Sequence, residues 1–239
     1  MHQHLPLSIS EDILYGLTSI LPSSCGVDVI EIDLTAHARP NLKNHLLYQS
    51  EILLTGKMSA KRLSDFTSGR LSAKKSLFEI GVCDFPILID SNRAPLWPTG
   101  VVGSISHSKN ICISAVNSNK NCKALGIDIE STEMLNSEVL HLICNDTEIA
   151  HLENIKKTVQ GEILDNAKII FSIKESIFKC LNPLLGCWID FKEMQVNLNF
   201  DNNSYLATPL SENATLSNIK PITGNWYSND YFHITSCWI

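Results

Sequence analysis

The sequence predicts an α+β fold made of two similar halves in one chain. Helix-like and strand-like periodicities alternate along it, and two pieces recur at one offset. Gly26-Val27-Asp28-Val29 recurs as Gly126-Ile127-Asp128-Ile129, and SAKKSLF at 72–78 recurs as SIKESIF at 172–178. We therefore expect a pseudo-dimer with halves at 1–110 and 111–239. Two short matches can also arise by chance, so the repeat is a hypothesis at this point.

The first half begins with a short capped helix and a strand. Ser10–Ile20 has helical periodicity, and Gly26–Leu34 is rich in β-branched residues. Apolar side chains then recur at helical spacing over Ser59–Ile80, and Gly81 provides a stop signal.

The pattern then becomes extended and later returns to helix. Residues 101–105, 111–116 and 124–130, separated by polar turns, predict three antiparallel strands. Helical periodicity returns over Glu138–Lys156 and over Ile163–Leu181, where Asn182-Pro183 should end the helix. We expect mostly strands and loops over Trp188–Ile239.

Composition excludes several classes of protein. The 239 residues are 44% hydrophobic and 18% charged, with a formal net charge of −6, which is typical of an ordinary globular protein and argues against nucleic-acid binding. No apolar run approaches the roughly 20 residues that cross a bilayer, and no secretory signal is recognisable. The eight cysteines lack Cys-x-x-Cys spacing, so we expect reduced thiols and a cytoplasmic location.

The second half contains a candidate metal site. Asp128 and Glu130 are two residues apart on a predicted strand, so both carboxylates point to one face. Glu175 and Lys179 share a face of a later helix. Carboxylate oxygens suit Mg²⁺, which usually completes its coordination with water and substrate phosphates. Taken singly, the first pair is equally typical of an exposed strand edge and the second of a solvated helix contact.

A candidate anion site lies in the first half. Arg62, Phe66, Arg70 and Lys74 follow one another at spacings of four, which places three cations on one helix face. Such a face either binds an anionic ligand or is simply solvated. His107, between two predicted strands, is by itself more typical of a structural histidine.

Three segments together resemble a known family. The pair GIDIE at 126–130 and FSIKESIFK at 171–179 is similar to the signature of 4′-phosphopantetheinyl transferases. The stretch APLWPTGVVGSISHS at 94–108, with FTSGR at 66–70, resembles the subgroup that serves siderophore synthases. The resemblance covers about half of the chain. It implies a monomer with the two-half α+β fold of that family.

The resemblance also implies roles for individual residues. Asp128, Glu130 and Glu175 would hold Mg²⁺, or Mn²⁺, on the pyrophosphate of coenzyme A. The residues expected to contact the phosphates of this co-substrate are Arg62, Arg70, Arg93, His107, Lys174 and Lys179, of which Arg70 and His107 would bind the 3′-phosphate. Lys179 would stabilise the departing 3′,5′-ADP, and either Glu175 or Glu148, directly or through a metal-bound water, would accept the serine proton.

The implied reaction transfers 4′-phosphopantetheine to a serine of an apo carrier protein of nonribosomal peptide, polyketide or fatty-acid synthesis, with siderophore synthesis as the first choice. In the first half, Ile30 and Lys75 stand where the second half has Glu130 and Glu175. One active site per chain is therefore expected. A non-catalytic coenzyme A-binding protein and a magnesium-dependent nucleotide phosphohydrolase remain alternatives.

Overall fold

The structure, a computed structural model, describes residues 8–32, 46–155, 163–210, 216 and 218–239. The chain divides into two compact units, Met1–Asn119 and Lys120–Ile239. Each unit packs helices on antiparallel strands, so the predicted α+β class is confirmed. Among the described residues, no helix is both long enough and apolar enough to cross a membrane.

The described residues of the first unit form three α-helices and five strands. The helices are α1 (Ile9–Ile20), α2 (Gln49–Leu53) and α3 (Ala60–Glu79), and the strands are β1 (Gly26–Glu31), β2 (Leu88–Ile89), β3 (Pro95–Leu96), β4 (Val102–Ser108) and β5 (Ile111–Asn117). Strands β1, β5 and β4 form a sheet in that order, and β2 pairs with β3. The side chains of Ser8 and Ser59 cap the N-termini of α1 and α3, close to the predicted starts.

The described residues of the second unit form a larger sheet and three α-helices. The strands are β6 (Leu125–Ser131), β7 (Met194–Asn199), β8 (Ser204–Pro209), β9 (Ile222–Ser228) and β10 (Phe232–Trp238), and the helices are α4 (Ser137–Ile143), α5 (Asp146–Ile155) and α6 (Ile163–Leu185). The sheet order is β6-β10-β9-β8-β7. Helix α6 packs on β6 and β10 and contributes much of the buried core, including Ile170, Ile173 and Ile177.

Glycine allows the same close approach of helix and strand in both units. A Cβ atom at Gly26 would collide with the backbone oxygen of Ser76 on α3, and one at Gly126 would collide with the backbone oxygen of Ser176 on α6. The strand can lie this close to the helix only without a side chain. This close approach explains why the first residue of each predicted repeat is a glycine.

Three predictions about the elements were wrong. Strand β6 pairs with β10 rather than β5, because β10 offers an apolar antiparallel partner in register from Leu125 to Ser131. The expected helix over Glu138–Lys156 is broken at Cys144. Helix α5 starts anew there, because the backbone amides of Asn145 and Glu148 each donate to the side chain of the other residue. Helix α6 continues through Pro183 to Leu185, since a proline in the last turn sacrifices only one helical hydrogen bond.

The boundary between the units also differs from the prediction. It lies between Asn119 and Lys120, whereas a boundary after residue 110 would separate β5 from β1 and β4, with which it pairs over its whole length. The predicted strand Gly26–Leu34 ends at Glu31, and residues 33–45 lie outside the described residues, as does Lys156.

Candidate active site

The predicted carboxylates lie on the face of β6 that packs against α6. Because side chains alternate along a strand, Asp128 and Glu130 share this face with Gly126, which touches the helix. Asp128 is buried, with an exposed fraction of 3%. Its Oδ1 accepts a hydrogen bond from Lys179 Nζ at 2.6 Å, and its Oδ2 accepts one from Ser172 Oγ at 2.8 Å. The strand and helix therefore bring together the predicted partners Asp128 and Lys179.

The pKa values of the two neighbouring carboxyl groups are raised. Burial, and then the nearby Asp128, raise the pKa of Glu130 to about 7. Burial also raises the pKa of Glu175, where Asp128 adds to the shift and Lys179 opposes it. The three acids thus influence one another electrostatically. Perturbed groups of this kind are typical of functional sites.

The acids are not arranged as a ready metal site. Within the described parts of the chain, no group of three or more His, Cys, Asp or Glu side chains is placed to hold a metal ion. Ammonium groups lie against two of the three carboxylates, since Lys179 contacts Asp128 and Lys168 Nζ lies 3.6 Å from Glu130 Oε2. The donor chemistry nevertheless fits Mg²⁺ or Mn²⁺, which prefer carboxylate oxygens.

Lys168 and Ser172 were missed in the sequence, although a signal existed. Lys168, Ser172, Glu175 and Lys179 follow one another at spacings of four, three and four, which is one face of a helix. Lys168 also donates to the backbone oxygen of Glu133 at 3.3 Å. Thr235, opposite Asp128 on β10, hydrogen-bonds Ser172 and completes the polar layer behind the acids.

Glu148 and Lys174 are placed differently from the prediction. Their side chains form a buried ion pair, with 2.7 Å between Lys174 Nζ and Glu148 Oε2. Glu148 also accepts from the backbone amides of Asn145 and Val196, and Lys174 donates to the backbone oxygen of Ile143. Lys174 is 3% exposed and Glu148 is 1% exposed, so this pair holds elements together and is a poor candidate for a pyrophosphate contact or a base.

The predicted basic face of α3 is not one surface. Arg62 is exposed near the start of the helix, whereas Arg70 is 5% exposed. Arg70 Nε donates to the backbone oxygen of Ile87 at 2.7 Å, and its guanidinium lies 4.3 Å from the centre of the Phe66 ring. Lys74 forms a 2.7 Å ion pair with the buried Glu51. Of the three cations, only Arg62 is solvated.

The remaining predicted residues lie near the surface of the first unit. His107 is on β4, where its Nε2 lies 3.3 Å from Asp65 Oδ2 of α3. Arg93 is exposed in the turn between β2 and β3 and has a φ of 70°, in the left-handed region. Burial lowers the pKa of Arg70 to about 10, so its guanidinium remains charged at neutral pH.

Sequence models of one family match both units. The 4′-phosphopantetheinyl transferase N-terminal domain matches residues 50–117, and the 4′-phosphopantetheinyl transferase superfamily matches residues 124–231. Together they cover most of the chain, including the acids of β6 and α6.

Individual relatives agree with the family models. The chain is 28% identical to 4′-phosphopantetheinyl transferase Svp of Streptomyces mobaraensis over 208 residues, which are 85% of this chain and 84% of the relative. It is 27% identical to 4′-phosphopantetheinyl transferase PptT of Mycobacterium tuberculosis over 216 residues, 88% and 92% of the two chains. It is 30% identical to enterobactin synthase component D of Salmonella typhimurium over 127 residues, 51% and 49% of the two chains. The chain therefore belongs to the 4′-phosphopantetheinyl transferase superfamily.

Proposed function

We propose that this phosphopantetheinyl transferase moves the 4′-phosphopantetheine arm of coenzyme A to a carrier-protein serine at the acids of the second unit. One observation carries the assignment: β6 and α6 bring the buried Asp128 against Lys179, with 2.6 Å between Asp128 Oδ1 and Lys179 Nζ. With Glu130 and Glu175 on the same strand and helix, these side chains would provide donors for a cation and a charge for a pyrophosphate.

Asp128, Glu130 and Glu175 would hold the metal, Mg²⁺ or Mn²⁺. When bound, the ion supplies positive charge that stabilises the pyrophosphate as its charge redistributes. The support for this assignment is the oxygen donor set described above. Lys168 lies beside Glu130, and Lys179 lies beside Asp128.

In the transfer step, the serine oxygen forms a bond to the phosphorus that carries pantetheine, while the bond from that phosphorus to 3′,5′-ADP breaks. We assign Lys179 to the departing phosphate, because its side chain is 26% exposed and its ammonium group is held by Asp128. We assign the serine proton to Glu175. Its pKa is raised, which favours proton acceptance near neutral pH, whereas both oxygens of Glu148 already accept hydrogen bonds inside the protein.

The first unit would bind the phosphates of coenzyme A. We assign the 3′-phosphate to Arg70 and His107, and peripheral phosphate contacts to Arg62 and Arg93. Arg70 supports this role because Ile87 and Phe66 fix its guanidinium plane, and a guanidinium has five N–H donors, more than these contacts use. The exposed arginines are long, solvated cations whose contribution should be small.

We further propose that the two units derive from one ancestral unit. The hydrogen bond from Ser72 Oγ to Ser114 Oγ on β5 corresponds to that between Ser172 Oγ and Thr235 Oγ1 on β10. Each of these sheet residues lies opposite the aspartate of its unit, Asp28 or Asp128.

The family likeness and the reduced cysteines favour a cytoplasmic enzyme that acts as a monomer. We propose that it serves carrier domains of nonribosomal peptide synthesis, with siderophore synthases as the first choice.

Intact-mass spectrometry of apo carrier proteins incubated with the enzyme and coenzyme A tests this function. We expect a gain of one phosphopantetheine arm on at least one carrier with Mg²⁺, and none with a chelator. Coenzyme A bound without any product would support a non-catalytic binder. Cleavage of coenzyme A or of nucleotides without a carrier would support a phosphohydrolase. Either outcome would contradict the transferase assignment.

A further inference from the structure

A closed ring of interactions in the first unit connects the buried Glu51 to Arg70. Glu51 Oε2 accepts from Lys74 Nζ at 2.7 Å, and Glu51 Oε1 accepts from the amide of Ile87 at 2.9 Å. The carbonyl of the same Ile87 accepts from Arg70 Nε at 2.7 Å. Arg70 and Lys74 are one turn apart on α3, which closes the ring. The position of Ile87, and thus of the Arg70 acceptor, depends on Glu51.

Glu51 is suited to fix a position rather than to touch a ligand. It is fully buried, and it also accepts from the amide of Tyr48 at 2.8 Å. Three donors on one buried carboxylate compensate its desolvation and leave it little freedom. Its charge also opposes the effect of burial on the pKa of Arg70.

The second unit repeats this arrangement without the arginine. Glu148 accepts from Lys174, from the amide of Val196 and from the amide of Asn145, at 2.7, 2.7 and 2.8 Å. The position 100 residues after Arg70 is Ile170, an apolar core residue. The buried ion pair is thus common to both units, and its connection to a guanidinium belongs to the first.

From this difference we infer that Glu51 is a positioning residue for Arg70, and that it thereby sets the preference of the enzyme for coenzyme A over 3′-dephospho-coenzyme A. This inference rests on the proposed function, in which Arg70 binds the 3′-phosphate. In Glu51→Gln, one acceptor oxygen becomes an amide nitrogen that cannot accept from Lys74, Tyr48 or Ile87, so the side chain loses part of its contact set and the carbonyl of Ile87 that holds Arg70 shifts. A guanidinium binds phosphate through directed hydrogen bonds, so a small displacement weakens the contact.

The test compares Glu51→Gln with Glu148→Gln, the matched change in the other unit. For each folded variant, the dissociation constants of coenzyme A and 3′-dephospho-coenzyme A are measured by calorimetry, together with KM and kcat. We expect Glu51→Gln to lower the preference for coenzyme A by about five- to tenfold. The dissociation constant of coenzyme A should rise, that of 3′-dephospho-coenzyme A should stay unchanged, and kcat should change by less than about twofold. Glu148→Gln should keep the preference.

Arg70→Ala distinguishes an error in the positioning role of Glu51 from an error in the 3′-phosphate assignment of Arg70. If Arg70→Ala loses the preference and Glu51→Gln keeps it, the positioning role is wrong and the proposed function stands. If Arg70→Ala keeps the preference, the 3′-phosphate assignment itself is wrong. Should Glu51→Gln fail to fold, Glu51→Met combined with Lys74→Met removes both buried charges, and the same loss of preference is expected. A retained preference in that double variant would equally contradict the positioning role.

Discussion

The β1–α3 pair of the first unit and the β6–α6 pair of the second use the same contacts around different chemistry. In both, a glycine allows the strand to approach the helix, and a helix serine reaches across to the neighbouring strand. In both, a lysine on the helix binds a buried glutamate, although Lys174 is itself buried and Lys74 is partly exposed. The supporting contacts are therefore independent of the site that the second unit adds.

The charged residues differ where the strand and the helix face each other within each unit. Lys75 of α3, at 3.7 Å from Asp28, occupies the position that Glu175 has in α6, and Glu79 occupies the position of Lys179. The Glu79 carboxylate accepts from the amide of Val27 at 2.9 Å. With Ile30 in place of Glu130, the first unit has the two acids Asp28 and Glu79 at these positions, where the second has three. These three positions distinguish the proposed metal site of the second unit from its counterpart in the first.

The largest difference between the units should appear when their aspartates are changed. Asp128→Asn removes the charge that holds Lys179 and one proposed metal ligand, so we expect transfer to fall by about a thousandfold or more. Asp28→Asn, the matched change in the first unit, should leave the transfer rate within about twofold. Steady-state rates on one carrier protein measure both. Comparable losses in the two variants would show that the units are not functionally distinct.

The two candidate bases of the second unit should differ next. Glu175→Gln should lower kcat by about a hundred- to ten-thousandfold, because both the proton acceptor and a metal ligand are lost. Glu148→Gln should mainly lower the melting temperature, since it leaves the ammonium of Lys174 buried and unpaired. Single-turnover rates and thermal melts of each variant separate chemistry from stability. A loss of kcat in Glu148→Gln as large as in Glu175→Gln would contradict the assignment of the base.

The smallest expected effect concerns pH. The pKa of Glu130 in the folded protein is about 7, against 4.5 as its ordinary value, so protonation favours the folded state. Its contribution to stability is fully present below pH 4.5 and is lost as the pH rises through 7. Metal-free protein should therefore show a melting temperature that falls over this range more steeply than in Glu130→Gln. Equal slopes in the two proteins would place the titration elsewhere.

Much of this comparison could be predicted from the sequence, because the repeated strand and helix pieces have local periodicity. The partner of β6 could not be predicted. Strand β10 is about 100 residues further along the chain, and hydrophobic alternation identifies a strand without identifying its neighbour. Pro183 was likewise misread as the end of α6, since the cost of a proline depends on its place in the last turn.

The site was predicted where alternation or helical spacing determined it. Asp128 and Glu130 follow from a two-residue period, and Glu175 and Lys179 from a four-residue spacing. Lys174 was assigned to the ligand by the resemblance, but consecutive helix residues point about 100° apart, and this rotation from Glu175 directs Lys174 into the core. The burial of Arg70 depends on the Ile87 carbonyl, whose position no local pattern encodes.

The number of metal ions bound by one chain tests the central claim most directly. Mn²⁺ binding in the presence of coenzyme A can be counted by electron paramagnetic resonance, independently of transfer. We predict one ion per chain, which is lost in Glu175→Gln and retained in Asp28→Asn. Two ions per chain, or one ion that survives Glu175→Gln and disappears in Asp28→Asn, would contradict the assignment of the metal site to the second unit.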